Sequence, residues 1–228
     1  MARPEPTVYD MAYQGKTAAV KILVNENEKL KTQTDSNGRM LIHWAALGGH
    51  NDIVQHLLSL GVPVDPLDDT NMTPLILAAS AGRDKVVDTL LNEGADVNAQ
   101  TSEGHSALQY AASKNWQGIC EKLIEKHADI NIVDKRGASP LHRASSKGNT
   151  DIVKLLLEQS GLNIDHRDIY GNSALHLACE EDRQQEARML VTNNASLSLT
   201  NKERKTPLDL ATPSLVRQLK LIVENKSS

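Results

Sequence analysis

The chain has 228 residues, of which 39% are apolar and 24% charged, with a formal net charge of −4 at pH 7. That balance suits one or two folded domains and argues against a nucleic-acid partner, which calls for a basic stripe. Two cysteines, Cys120 and Cys179, form no CxxC pair and so indicate neither a zinc site nor a disulfide framework, no apolar run approaches the roughly 20 residues of a membrane helix, and residues 1–10 hold no secretory h-region.

Taken in chain order, the elements repeat. Thr7-Val8-Tyr9-Asp10-Met11-Ala12 opens the chain and is followed by the apolar cluster Val20, Ile22 and Leu23. Met40-Leu41-Ile42-His43-Trp44-Ala45 comes next, then Thr73-Pro74-Leu75-Ile76-Leu77-Ala78 and Ser106-Ala107-Leu108-Gln109-Tyr110-Ala111. Ser139-Pro140-Leu141-His142-Arg143-Ala144, Ser173-Ala174-Leu175-His176-Leu177-Ala178 and Thr206-Pro207-Leu208-Asp209-Leu210-Ala211 complete the series. From Ile42 the central apolar residues Leu75, Leu108, Leu141, Leu175 and Leu208 follow at steps of 33, with a single step of 34. Counting back 33 from Ile42 reaches Tyr9, so seven units stand in phase, starting near 5, 38, 71, 104, 137, 171 and 204.

Each unit reads as two short helices. Thr73 or Ser139 is an N-cap, and Pro74 and Pro140 fall at the first helical position, where the missing N–H costs nothing. Small residues such as Ala78-Ala79 let neighbouring first helices approach. The second helices carry paired apolars, as in Ile53-Val54 with Leu57-Leu58 and Val86-Val87 with Leu90-Leu91, the stripe of a half-buried helix. Gly61 and Gly94 end helices, and Gly38, Gly104, Gly137 and Gly171 supply the backbone freedom of hairpin tips. With six aromatic residues other than histidine, namely Trp44, Trp116 and four Tyr, the core is aliphatic. Pro213 cuts the last first-helix short, and a helix follows through Leu215, Leu219 and Ile222 with Lys220 outward. Residues 1–6 and 225–228 are expected to fray.

This pattern resembles the ankyrin repeat, with its period near 33 and its T-P-L-H-x-A signature. The resemblance implies an all-α ankyrin-repeat solenoid of helix-turn-helix units with β-hairpin-like tips, a single domain over 1–228 whose first and last units act as caps.

No catalytic constellation is visible. His43, His142 and His176 occupy the T-P-L-H position, where histidine bonds the neighbouring turn, and the remaining histidines are scattered singly. HExxH, a phosphate loop and a nucleophile elbow are absent. Asp68, Asp134 and Asp168 recur at turns and read as turn chemistry. The expectation is no enzyme, no cofactor and no metal. Leu177-Ala178-Cys179-Glu180-Glu181 fits L-x-C-x-E, a motif by which some proteins engage the retinoblastoma protein, but Cys179 takes the place of a packed alanine.

Ankyrin repeats bind through hairpin tips and first helices. The position after the His slot holds Trp44, Leu77, Tyr110, Arg143, Leu177 and Leu210; further along lie Lys114, Lys147, Glu180, Glu181 and Asp182. The expected face is apolar and aromatic early, basic in the middle and acidic late. The tips add Arg39, Lys135-Arg136 and Lys202, Arg204, Lys205. Trp44, Leu77 and Tyr110 read as an exposed hot-spot cluster.

Strings not dictated by the generic repeat narrow the resemblance: Ile42-His43-Trp44-Ala45-Ala46, Leu60-Gly61-Val62-Pro63-Val64, Ala81-Gly82-Arg83-Asp84, Tyr110-Ala111-Ala112-Ser113-Lys114-Asn115 and the run from Asn201 to Leu208 are similar to the gankyrin family of 26S proteasome non-ATPase regulatory subunits. That resemblance implies an assembly chaperone for the 19S regulatory particle, which holds the C-terminal domain of a base ATPase subunit on its concave face. Family contacts fall on Arg39 and Lys114. It further implies links to the retinoblastoma protein, a cyclin-dependent kinase and a p53-pathway ubiquitin ligase, a monomer in cytoplasm and nucleus, and no membrane. Ile76 and Gln109 in the His slot, and Met40-Leu41 for Thr-Ala, depart from the pattern. The alternative is an ankyrin-type kinase inhibitor, a retinoblastoma-pathway regulator or a generic ankyrin adaptor. Charge reversal at Arg39 and Lys114 is expected to weaken binding without changing the melting temperature.

Overall fold

A computed structural model describes residues 6–227. Residues 1–5 and 228, part of the tails expected to fray, lie outside the described residues. Helices come in pairs: α1 Val8–Tyr13 and α2 Thr17–Glu26, α3 Leu41–Gly48 and α4 Asn51–Ser59, α5 Pro74–Ser80 and α6 Asp84–Asn92. There follow α7 Ala107–Lys114 and α8 Gln117–Glu125, α9 Pro140–Lys147 and α10 Thr150–Leu157, α11 Ala174–Glu180 and α12 Gln184–Thr192, and α13 Pro207–Leu210 with α14 Pro213–Ser227. Among the described residues these make the seven pairs that the spacing demands. Helix α14 continues through residues 225–227, where fraying was expected, and Pro213 serves as its first residue. Among the described residues the tips are turns, not strands, and an isolated bridge joins Gln100 and Ser106.

The chain falls into two compact units, Met1–Tyr110 with Glu125–Ala128, and Ala111–Ile124 with Asp129–Ser228. In the first, α1 packs on α3 and α3 on α5, while α2 packs on α4 and α4 on α6. In the second, α9, α11 and α13 form one row, and α10, α12 and α14 the other. Each unit is thus a double layer whose apolar stripes meet. Ile42, Leu57, Leu75 and Leu90 are fully buried in the first, Leu141, Leu156, Leu175 and Leu190 almost or entirely so in the second. Each such side chain contributes about 1.5–3 kcal/mol relative to an exposed one. Ala45, Ala78, Ala144 and Ala178 are fully buried as well, as expected where helix backbones approach.

The first helices start where the sequence places their caps. The hydroxyls of Thr73, Ser139, Ser173 and Thr206 accept from the backbone N–H three residues on. The His slot adds a second tie. His142 Nδ1 accepts from the Ser139 N–H at 3.3 Å, and its Nε2 donates to the Asn172 carbonyl of the next repeat at 3.0 Å. His176 bonds Ser173 N–H and the Lys205 carbonyl in the same way, at 3.1 and 3.2 Å. His43 bonds Met40 N–H at 3.0 Å and the Pro66 carbonyl at 2.9 Å. Gln109 reproduces the cap half of this arrangement, its Oε1 accepting from Ser106 N–H at 2.9 Å. Burial lowers the pKa of all three histidines and keeps them neutral.

The tips are held by aspartates. Asp68 Oδ1 accepts from the Thr70 and Met72 amides at 2.8 and 2.9 Å, and Asp168 Oδ1 from the Tyr170 and Asn172 amides at 2.9 and 2.8 Å. Neighbouring tips are bonded to each other: Asp69 N–H to Asn37 O at 3.0 Å in the first unit, Ile169 N–H to Arg136 O and Lys202 N–H to Tyr170 O, both at 2.9 Å, in the second.

Candidate protein-binding face

In the first unit the residues expected on the face form a braced cluster at Trp44. The Arg39 guanidinium lies 5.1 Å from the Trp44 ring centroid, and its Nε donates to Asp68 Oδ2 at 2.8 Å. Trp44 Nε1 donates to Asp35 Oδ2 at 2.9 Å. Tyr13 meets the indole edge to face, with centroids 6.0 Å apart. Burial alone would raise the pKa of Asp68, but donation from Arg39, Met72 and Thr70 outweighs it and holds the carboxylate ionised. Asp35 shows the same balance, its burial outweighed by the Arg39 and Asn37 amides, Trp44 and the Arg39 charge. Arg39 and Trp44 are therefore half-buried and oriented before any partner arrives, which lowers the ordering cost of binding.

Two expectations need correction here. Leu77 is only 3% exposed; α5 is covered from Pro74 to Ala79, having α3 and α6 packed against it, so Leu77 belongs to the core and offers no contact surface. The aromatic residues have internal partners and are not bare hot spots. Trp44 is stacked and hydrogen bonded. Tyr110 is half-buried with its ring 5.4 Å from that of His105 and its hydroxyl 3.4 Å from His105 Nδ1.

In the second unit Arg143 ion-pairs with Asp134 Oδ2. The other oxygen of Asp134 accepts from the Arg136 and Ala138 amides at 2.8 and 3.0 Å. Asp134 stands nine residues before Arg143, as Asp35 does before Trp44, so one tip acid both shapes its turn and orients the face residue of its own repeat. Lys114 and Lys147 are exposed as the last residues of α7 and α9, where a cation also complements the helix C-terminus. Glu180, Glu181 and Asp182 are exposed at the end of α11. Asp182 accepts from Gln184 Nε2 and Thr212 Oγ1, each at 3.3 Å.

Cys179 is 1% exposed within α11, between half-buried Leu177 and exposed Glu181. Burial pushes its thiol up to about 12, and that of Cys120 likewise. Presenting L-x-C-x-E in extended form requires unwinding α11. Among the described residues no group of three or more His, Cys, Asp or Glu is placed to hold a metal ion, and none of the helices is long and apolar enough to cross a membrane.

Sequence reasoning passed over Asp35 and Tyr13. Asp35 was legible, standing 33 residues before Asp68. Tyr13 takes the phase of buried Ala46, yet its ring is 46% exposed.

These features define an ankyrin-repeat protein-binding scaffold. Family models for ankyrin repeats match residues 8–101, 96–168 and 158–211, and the chain belongs to the ankyrin-repeat family, whose members are typically non-enzymatic. Over 67 residues it is 44% identical to 26S proteasome non-ATPase regulatory subunit 10 of Homo sapiens, covering 29% of this chain and 30% of that protein. The matched stretch therefore spans less than a third of the length of that relative. Of solved structures, the ankyrin repeat domain of human ASB11 superposes with a TM-score of 0.84 at 28% identity, covering 97% of this chain and 98% of the other. That of Bcl-3, a member of the IkappaB family, gives 0.80 at 29%, covering 96% and 100%.

Proposed function

We propose that this chain is a proteasome assembly chaperone that works by binding alone. It holds the C-terminal domain of a base ATPase subunit of the 19S regulatory particle through its first helices and the Arg39 tip and is released before the particle matures. The observation that carries the reading is the braced pair Arg39 and Trp44, a cation and an indole held ready by Asp68 and Asp35. Similarity to the human proteasome subunit supports the choice of partner. Lys114, Arg143 and Lys147 meet acidic residues of that domain, and Glu180, Glu181 and Asp182 meet basic ones. Such complementarity sets specificity and on-rate more than affinity. The protein works as a monomer in cytoplasm and nucleus.

The test is affinity purification from native lysate with the chain as bait, compared with a Lys114→Glu/Lys147→Glu variant. Enrichment of base ATPases, depletion of mature 20S particles and loss of the ATPases in the variant uphold the reading. Dominance of cyclin-dependent kinases, retinoblastoma protein, a p53-pathway ubiquitin ligase or unrelated adaptors overturns it.

A further inference from the structure

The last three hairpin tips of the second unit carry a surface that the helix positions above do not use. Lys135, Arg136, Arg167, Lys202, Arg204 and Lys205 are all exposed there, although the chain as a whole is acidic. The tip acids are engaged close to home: Asp134 is buried against Arg143, Asp168 accepts from its own loop amides, and Glu203 pairs with Lys205 at 3.0 Å. Between the cations Ile169 is 45% and Tyr170 55% exposed, with no apolar cover of their own.

The backbone under this edge is fixed. Ile169 N–H and Lys202 N–H bond the preceding tips at 2.9 Å, so the side chains project from a hydrogen-bonded ladder. Arg204 adds a second observation. Its φ is +62°, at the tip position where Gly171 and Gly137 stand one and two repeats earlier. A left-handed conformation favours glycine, so Arg204 sets a long cation on the tip at a position where the other repeats place glycine or, at Asn71, asparagine. A cleft of about 280 Å³ lies between Arg167 and Lys202, and one of about 210 Å³ beside Tyr170 and Arg136. Both are smaller than a typical small-molecule pocket and match single side chains.

We propose that this tip edge is a second docking surface, which takes an extended acidic segment of a partner protein with apolar residues set between its carboxylates. An apolar side chain covers Ile169 and Tyr170; flanking Asp or Glu side chains meet Arg167 with Lys202 on one side and Arg136 on the other. Separate side-chain-sized clefts on the two sides of the Ile169-Tyr170 tip favour a peptide over a nucleic-acid strand, which is bound by stacking platforms along a continuous basic groove. The surface adjoins the first-helix face, since Arg143 and Leu177 also line the cleft beside Tyr170 and Arg136, but neither Lys114 nor Lys147 takes part in it.

The experiment is fluorescence anisotropy of the full chain with a labelled short peptide carrying Leu and Ile among Asp and Glu residues. Two competitors are used: the same peptide with Ser for Leu and Ile, and oligothymidylate of matching length. The acidic-apolar peptide binds, more weakly with added salt. Arg167→Glu/Lys202→Glu weakens it about tenfold or more, as opposed charges at a rim become like charges. Because Arg167 also donates to the Thr200 carbonyl at 3.3 Å, Lys202→Glu alone is measured beside it and gives a loss in the same direction. Tyr170→Ala and the Ser peptide each lose several-fold, while Lys114→Glu/Lys147→Glu binds as the parent does. The proposal is overturned if the Glu variants keep the parental affinity, if the Ser peptide binds equally well, or if oligothymidylate binds more tightly than the peptide.

Discussion

Replacing Arg39 with alanine tests whether the face is braced. Arg39 donates to Asp68 at 2.8 Å, with side-chain exposures of 20% for the arginine and 2% for the aspartate. Removing a charged donor from a buried carboxylate costs about 1.5–3 kcal/mol, and losing the cation over an indole a further ~0.5–1 kcal/mol. Asp68 keeps its bonds from Thr70 and Met72, which places the total near the low end, at about 2 kcal/mol. For a protein of this size that lowers the melting temperature by about 4–8 °C. Circular dichroism melts of the parent, Arg39→Ala, Asp68→Asn and the double variant isolate the pair energy. The pH dependence checks the mechanism. Asp68 is held below its ordinary pKa, so its contribution is present above the unfolded carboxylate value near ~4 and is lost as pH falls through the folded value. Parent and Arg39→Ala should therefore converge below about pH 4. An Arg39→Ala melt within about 1 °C of the parent, or a gap that persists unchanged in acid, refutes the bracing argument. On this geometry, charge reversal at Arg39 together with Lys114 lowers the melt, where an unchanged melt was expected from the sequence. Binding tests that must not disturb the fold belong at exposed Lys114 and Lys147.

Other outcomes follow from the caps and the core. His142→Ala strands the Ser139 amide and the Asn172 carbonyl and should cost about 2–4 kcal/mol in urea unfolding, whereas His142→Gln should cost less, since Gln109 already fills that slot. Because burial holds His43, His142 and His176 below their ordinary pKa, the stability they contribute is complete above about pH 6.5 and falls as pH drops through and below that value; urea titrations between neutral and mildly acid pH measure it. Thr73→Ala removes the bond to Ile76 N–H and should cost about 1 kcal/mol. Cys120 and Cys179, with thiols pushed up to about 12, should resist a thiol-disulfide reagent at mildly alkaline pH and react at once in denaturant; rapid native labelling of Cys179 would show that α11 opens.

The fold was legible because its signals are local and recur. A hydroxyl cap, a proline, a leucine and a histidine at fixed offsets specify a helix start whatever its neighbours are, and their recurrence at 33 residues leaves little choice of architecture. The face was less legible because exposure depends on what packs alongside. Leu77 and Leu177 share one phase, yet Leu77 is buried and Leu177 half-buried. Tyr13 and Ala46 share another, yet the ring is half exposed and the alanine fully buried. Nor does the period show that Arg39 reaches the following tip at Asp68, or that Trp44 is bonded to Asp35. Repeat phase sets the nine-residue offset shared by Asp35–Trp44 and Asp134–Arg143, but whether a pair closes depends on the reach of the side chain there.

The same geometry explains how one scaffold carries different faces. Each tip acid spends one oxygen on its own turn amides, a duty set by the backbone and therefore constant from Asp35 to Asp168. In three tips the second oxygen carries the variation. Asp35 gives it to an indole and Asp134 to an arginine nine residues on; Asp68, with buried Leu77 in that place, takes Arg39 from the preceding tip. Exchanging the partner at one surface position changes the charge and shape of the face without touching a core contact. At Trp44 such an exchange gives up the bond to Asp35, the Arg39 stack and the Tyr13 edge contact. It follows that substitutions at Trp44 and Arg143 should move partner preference more than stability, while the acids that hold them should move both.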